Sequence, residues 1–155
     1  MKLMYRSWVL QAAFLFILSG CHAYLFCSWN LGYSDRVFSN SQITGTYALT
    51  SYSKKMMEYE GKYEHIPNST IQINADSTYT IANAPDWLAD SLAESHRRYF
   101  TKTGKWQLNC YGSSCSIQLS DKINGAIRVN KKGRTALLFN IGDPDSCQGM
   151  VYEKQ

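Results

Sequence analysis

The chain is poor in the residues and motifs on which enzymes and metal sites depend. It has no Gly-x-Ser-x-Gly turn, no phosphate loop that ends in Gly-Lys and no His-Glu-x-x-His helix. The three histidines, His22, His65 and His96, lie far apart, and no partner stands at metal-ligand spacing from any of them. We therefore expect no catalytic residues, no cofactor and no bound metal.

The chain also lacks a large excess of positive or negative charge. Sixteen Lys and Arg residues oppose twelve Asp and Glu residues, and two of the cations, Lys2 and Arg6, lie at the very start of the chain. Nucleic-acid-binding domains carry a much larger basic excess, because they must neutralise several phosphates at once. We therefore expect no nucleic acid among the partners.

The composition favours one globular domain that is mainly β. The chain has 155 residues, of which 45% are hydrophobic and 18% charged, enough for one modest core. Eleven Tyr and ten Gly residues, with few long helix-period segments, indicate short strands joined by turns.

Alternation of apolar and polar residues predicts about eight strands separated by turn-forming segments. They fall at residues 43–50, 70–74, 78–81, 106–110, 117–119, 127–129, 137–141 and 150–152. One helix is expected over Ala84–Arg98, and Tyr52–Asn68 holds either a helical turn or a long loop. The pattern predicts an antiparallel up-and-down β-barrel with one short helix, and a β-sandwich of the same strands stays open as the alternative.

The first twenty residues have the order of an export signal. Lys2 and Arg6 precede the apolar run "WVLQAAFLFIL", and small residues follow in "LSGC", which ends at Cys21. This segment closely resembles the lipobox of bacterial lipoproteins, and the resemblance implies cleavage before Cys21 and a diacylglyceryl group on its thiol. The protein would then lie in the cell envelope as a lipid-anchored protein. His22 at the next position would favour the outer membrane over the inner one, on the periplasmic side, in an organism with two membranes.

Two other interpretations of the N-terminus stay open. Ser7–Cys27 is long enough for an uncleaved anchor helix, and a plain secretory signal would make Cys21 incidental. In the lipoprotein interpretation, residues 1–20 are the signal peptide, residues 21–41 the lipidated N-terminus with a linker, and residues 42–155 the barrel. Within that barrel, "GTY" at Gly45–Tyr47 resembles the Gly-x-Trp start of lipocalin-like proteins, whose aromatic residue closes one end of the barrel.

Export makes the remaining cysteines candidates for disulfides. If Cys21 carries lipid, four thiols remain and three pairings are possible. Cys110 and Cys115 flank the turn formers Tyr-Gly-Ser-Ser, so this pair is the easiest to close. Whether Cys27 and Cys147 form a second disulfide stays open.

Three surface features invite functional interpretations, each with a structural alternative. A basic turn, Arg128, Lys131, Lys132 and Arg134, is expected beside the lipid tether, where it would face the membrane unless it is an ordinary hairpin tip. Asp143 and Asp145 suit a tight turn better than a calcium loop. Aromatic and Met side chains near the helix form either a partner surface or a cap on the barrel: Met56, Met57, Tyr59, Tyr63 and Trp87.

These features favour binding over catalysis. Large inward side chains would fill a barrel of eight strands, which argues for docking an envelope protein. The alternative is a lipid or small apolar ligand held inside the barrel. The expected partners are thus a membrane, reached through the lipid anchor, and an envelope protein.

Overall fold

The computed structural model describes residue 27 and residues 29–60, 62–89, 97–142 and 146–155. These residues form ten antiparallel strands in one nearly closed, barrel-shaped sheet, with short helices. The strands are β1 Tyr33–Asp35, β2 Gly45–Leu49, β3 Thr70–Ile73, β4 Thr78–Pro85, β5 Tyr99–Lys105, β6 Gln107–Tyr111, β7 Ser114–Ser120, β8 Ile123–Asn130, β9 Thr135–Asn140 and β10 Gly149–Lys154. The helices are α1 Asn40–Ile43, α2 Ser51–Tyr59 and α3 Asp86–Ala89.

The strand order confirms the up-and-down barrel. Strands that follow one another in the chain lie side by side from β2 to β5 and from β6 to β10, and β10 pairs with β2. Only Trp106 separates β5, which pairs with β4, from β6, which pairs with β7. Among the described strands, the hydrogen-bonded ring is thus broken once, within the segment from Tyr99 to Tyr111. With β5 and β6 counted as one long strand, eight strands surround the core.

The two ends of the barrel differ in their connections. The lower end carries α1 and the turns at residues 74–77, 112–113 and 131–134. The upper end carries α2, α3, the turn at residues 121–122 and the chain between β9 and β10. Local side-chain bonds fix these connections: Asp76 Oδ1 accepts from the Thr78 amide at 2.9 Å, and the Thr50 hydroxyl accepts from the Ser53 amide at the start of α2.

The inside of the barrel is filled by large side chains. At the lower end Phe38, Ile43 and Trp106 are buried, and the Trp106 indole donates to the Asn74 carbonyl at 3.0 Å. Tyr47 of the "GTY" motif is fully buried there, and its hydroxyl donates to the Ile43 carbonyl at 2.7 Å. The largest fully buried side chains are Tyr47, Tyr79, Tyr152, Phe139, Ile43, Met57, Ile71, Ile73, Ile81, Ile117, Leu119 and Ile123.

The structure refines the predicted helices. Pro85 is the last residue of β4, and the helix that was expected from Ala84 begins at Asp86. Residues 90–96 lie outside the described part of the chain, and Arg97 and Arg98 are not helical. The open question over Tyr52–Asn68 resolves into the helix Ser51–Tyr59 followed by a loop, because Thr50 provides an N-cap and Met57 a buried anchor.

Candidate functional site

The N-terminal segment lies on the outside of the barrel wall. We call residue 27 with residues 29–35 the strap. A disulfide joins Cys27 to Cys147 at the upper end, with 5.0 Å between the Cα atoms. Tyr33 then pairs with Asn130 at the lower end, where β1 runs antiparallel to β8. The described residues of the segment that was expected to be a linker therefore pack on the barrel, beginning with Cys27. The disulfide also pairs Cys27 with Cys147, the two cysteines whose pairing the sequence leaves open.

The strap buries an apolar patch on the outer faces of β9 and β10. Trp29 packs with Ala136, Leu138 and Val151, all of which are buried although they point away from the barrel interior. A Cβ atom at Gly149 would lie 2.3 Å from the Trp29 ring, so only glycine leaves room for the indole. The Trp29 indole N–H is buried without a hydrogen-bond partner among the described residues, a cost that this apolar burial must outweigh.

Polar contacts fasten the lower half of the strap. Arg128 Nε lies 2.9 Å from the Asp35 carboxylate, and Arg128 Nη1 donates to the Asn30 side-chain oxygen. The Tyr33 hydroxyl donates to Glu153 Oε1 at 2.7 Å, and Asn130 Nδ2 donates to the same oxygen at 3.0 Å. Burial, and then the hydrogen bond to the Glu153 carboxylate, raise the pKa of Tyr33, so its hydroxyl remains a donor across the ordinary pH range.

Two clefts lie between the strap and the wall. The upper cleft, about 310 Å³, is lined by Trp29, Leu31, Tyr33, Thr50, Ser51, Tyr52, Val151 and Glu153. The lower cleft, about 370 Å³, is lined by Leu31, Gly32, Tyr33, Asn130, Lys131, Lys132, Arg134 and Glu153. Because the clefts share Leu31, Tyr33 and Glu153, we treat them as one feature, the outer groove. Leu31 is 58% exposed on its rim.

Most residues of the predicted basic turn line the outer groove. Lys131, Lys132 and Arg134 line the lower cleft, whereas Arg128 is occupied by Asp35 and Asn30. The turn was expected beside the tethered N-terminus. Cys21, the expected point of tethering, lies outside the described residues, so this expectation stays a prediction. Cys27, the first described residue, lies at the opposite end of the barrel from the turn, because the Cys27–Cys147 disulfide holds it there.

The aromatic and Met side chains of the predicted partner surface mostly cap the upper end. Met57 and Tyr63 are buried in the core, and Met56 and Trp87 are partly buried against it. The Tyr63 hydroxyl donates to Asp86 and so ties the loop after α2 to α3. Tyr59, with 74% of its surface exposed, is the residue of this group that remains open to a partner.

The remaining predictions concern cysteines and acidic residues, and the structure describes only some of these. Cys110 and Cys115 form the expected disulfide across paired positions of β6 and β7, with 4.1 Å between the Cα atoms. Cys21, Asp143 and Asp145 lie outside the described residues. Within the described part of the chain, no three His, Cys, Asp or Glu side chains converge as metal ligands.

Sequence reasoning missed the residues that build the outer groove. Trp29, Leu31 and Tyr33 lie in a segment interpreted as linker, and Glu153 carries no motif. A signal was present in β9, where Ala136 to Phe139 are all apolar instead of alternating. Such a run indicates a strand that is covered on both faces.

Comparisons with protein-family models, with curated proteins and with solved structures gave no match for this chain. Among the described residues, no helix has both the length and the apolar character needed to cross a bilayer.

Proposed function

We propose that this protein is an exported, lipid-anchored docking protein that binds a protein partner along the outer groove. The observation that carries the proposal is the contrast between a filled barrel and an open outer groove. Large side chains such as Tyr47, Tyr152 and Phe139 occupy the interior, where a ligand would otherwise lie. The outer groove instead presents Leu31 and Tyr52 at its surface, and such aromatic and aliphatic side chains anchor protein interfaces.

The two disulfides support export. Structural disulfides persist in oxidising compartments such as the periplasm and are rare in the cytosol. Cys27–Cys147 and Cys110–Cys115 use all four cysteines that follow Cys21, so Cys21 is left for another role. That distribution fits a thiol reserved for lipid at the lipobox.

The anchor is tested by labelling the full chain in a bacterial host with radioactive palmitate. We expect label in the natural protein, loss of label in Cys21→Ser, and retention in the control Cys110→Ser/Cys115→Ser. Equal labelling of Cys21→Ser and the natural protein would exclude the lipid anchor.

Docking is tested by placing a photo-crosslinking amino acid at Leu31 in living cells. We expect one discrete protein adduct at this position and none at Tyr111, which is 93% exposed but ends β6 and does not line the outer groove. Ser51→Trp, which fills the upper cleft, should abolish the adduct. Adducts of equal yield at positions 31 and 111 would mark random collision and overturn the docking proposal.

Native mass spectrometry of the purified protein tests the alternative, a lipid or small apolar ligand inside the barrel. We expect the mass of the lipid-modified chain with nothing further bound. A retained small molecule that Phe139→Trp displaces would place a ligand in the interior and overturn the docking proposal.

A further inference from the structure

The two ends of the barrel carry different charge. Among the described residues, five cations meet two carboxylates at the lower end: Lys105, Lys131, Lys132, Arg134 and Lys154 against Asp76 and Glu153. The residues that the structure describes at the upper end include six cations and five carboxylates: Lys54, Lys55, Lys62, Arg97, Arg98 and Lys122 against Glu58, Glu60, Glu64, Asp86 and Asp121. The positive excess is therefore concentrated at the lower end, where the lower cleft opens.

The cations of the lower cleft are available to a ligand. Within the described part of the chain, the side chains of Lys131, Lys132 and Arg134 make no ion pair or hydrogen bond. Their backbone is fixed, because Asn130 Oδ1 accepts from the amides of Lys132 and Arg134 at 2.9 and 3.0 Å. A rigid turn thus presents three unneutralised cations on flexible stems.

The carboxylate in the lower cleft is already engaged. Glu153 Oε1 accepts one hydrogen bond from Tyr33 of the strap and one from Asn130 of β8. One carboxylate cannot balance three cations, so the cleft keeps a net positive charge. Leu31 stands on the same rim with more than half of its surface exposed, which adds an apolar contact beside the cations.

The position of the strap indicates which end of the barrel a lipid on Cys21 would bring to the membrane. Cys27 is held at the upper end by Cys147, and only six positions separate it from Cys21, a span of at most roughly 20 Å. A lipid on Cys21 would therefore place the upper end next to the bilayer. The lower cleft would then open away from the lipid headgroups and toward proteins of the compartment.

From these observations we infer that the lower cleft binds an acidic segment of a protein partner. Lys131, Lys132 and Arg134 pair with its Asp or Glu carboxylates, and Leu31 packs against an apolar side chain next to them. The inference rests on the proposed docking function, of which it names the partner's chemistry and the point of contact.

The test uses the full-length protein in detergent and a fluorescein-labelled peptide of glutamates around one leucine. We expect salt-sensitive binding that Lys131→Ser/Lys132→Ser/Arg134→Ser weakens about tenfold, since each exposed ion pair contributes modestly. The matched control at the upper end, Lys54→Ser/Lys55→Ser/Arg98→Ser, should bind like the natural protein. Leu31→Ser should weaken binding of this peptide but not of an all-glutamate peptide.

Each other outcome decides against the inference. Equal binding by the two triple variants, or equal binding of a glutamine-for-glutamate peptide, would remove the role of the cations. Binding to phosphatidylglycerol vesicles through Lys131, Lys132 and Arg134, with no peptide binding, would assign the cleft to an anionic membrane. Failure with the peptide while the Leu31 crosslink persists would retain docking and discard the acidic partner.

Discussion

Two parts of the barrel wall differ in how their outer faces are buried. One part is β3 with β4, and the other is β9 with β10. In β3, buried Ile71 and Ile73 alternate with the half-buried Thr70 and Gln72. In β9, four consecutive residues, Ala136 to Phe139, are buried, and Gly149 to Tyr152 of β10 repeat the pattern. The β3 side has a single covered face, whereas the β9 side has the core within and the strap outside.

The wall under the strap therefore forms a second, thinner core. Inside, Phe139 meets Tyr152 edge to face at 6.0 Å between ring centroids. Outside, small residues such as Ala136 and Gly149 leave room for the indole of Trp29. The strap and the wall thereby form the two sides of the outer groove, so the stability of the strap and the shape of the groove depend on the same residues.

Removal of the disulfide that holds the strap should destabilise the protein most. Cys27→Ser/Cys147→Ser opens a loop of 120 residues, and Cys110→Ser/Cys115→Ser opens a separation of 5. Loop-closure entropy predicts a loss of about 5 kcal/mol in the free energy of unfolding for the first pair and about 2 kcal/mol for the second. Urea unfolding of the two variants checks the order, and an equal loss would mean that the strap is held by its noncovalent contacts.

The next largest effect is expected inside the barrel. Phe139→Ala removes a ring that contacts Tyr152 and covers Gly125, and leaves a cavity in a filled interior. We expect a loss of about 4 kcal/mol in the free energy of unfolding, measured by urea titration. Thr80→Ala on the outer face of β4 is the control and should change stability by less than about 1 kcal/mol. If Phe139→Ala changed the free energy of unfolding only slightly, the barrel would not be filled, and a ligand inside it would again be the better explanation.

The sequence could predict the inner face but not the outer one. Alternation in "TIQI" and "TYTI" placed the core side of β3 and β4, and turn formers between Cys110 and Cys115 predicted their disulfide. The same alternation could not show that Trp29 lies on Gly149, because this contact joins residues 120 positions apart in the chain through a fold that must first exist. The continuous apolar run in β9 indicates a covered outer face, but it does not say which segment covers it.

A smaller effect is expected where the strap meets the wall. Leu138→Ala truncates the outward side chain beneath Trp29, and we expect a loss of about 2 kcal/mol, at the low end for a buried leucine because the patch is thin. Hydrogen exchange should show faster exchange of the strap amides while the amides of β3 and β4 stay protected. Uniform loss of protection over the whole barrel would mean that strap and barrel unfold as one unit.

The smallest effect is expected at the ion pair that holds β1. Arg128 and Asp35 are partly exposed, at 25% and 38% of their side chains, so water screens much of their attraction. Arg128→Gln should cost about 1 kcal/mol, because it also affects the contact with Asn30, whereas Asp35→Asn should cost less. A double-mutant cycle, measured by urea unfolding at low and high salt, isolates the pair and should give a coupling energy below about 1 kcal/mol that shrinks with salt. A coupling that salt does not reduce would show that Arg128 and Asp35 interact as a short hydrogen bond rather than as a screened ion pair, and the attachment of β1 would then depend on hydrogen bonds rather than on charge.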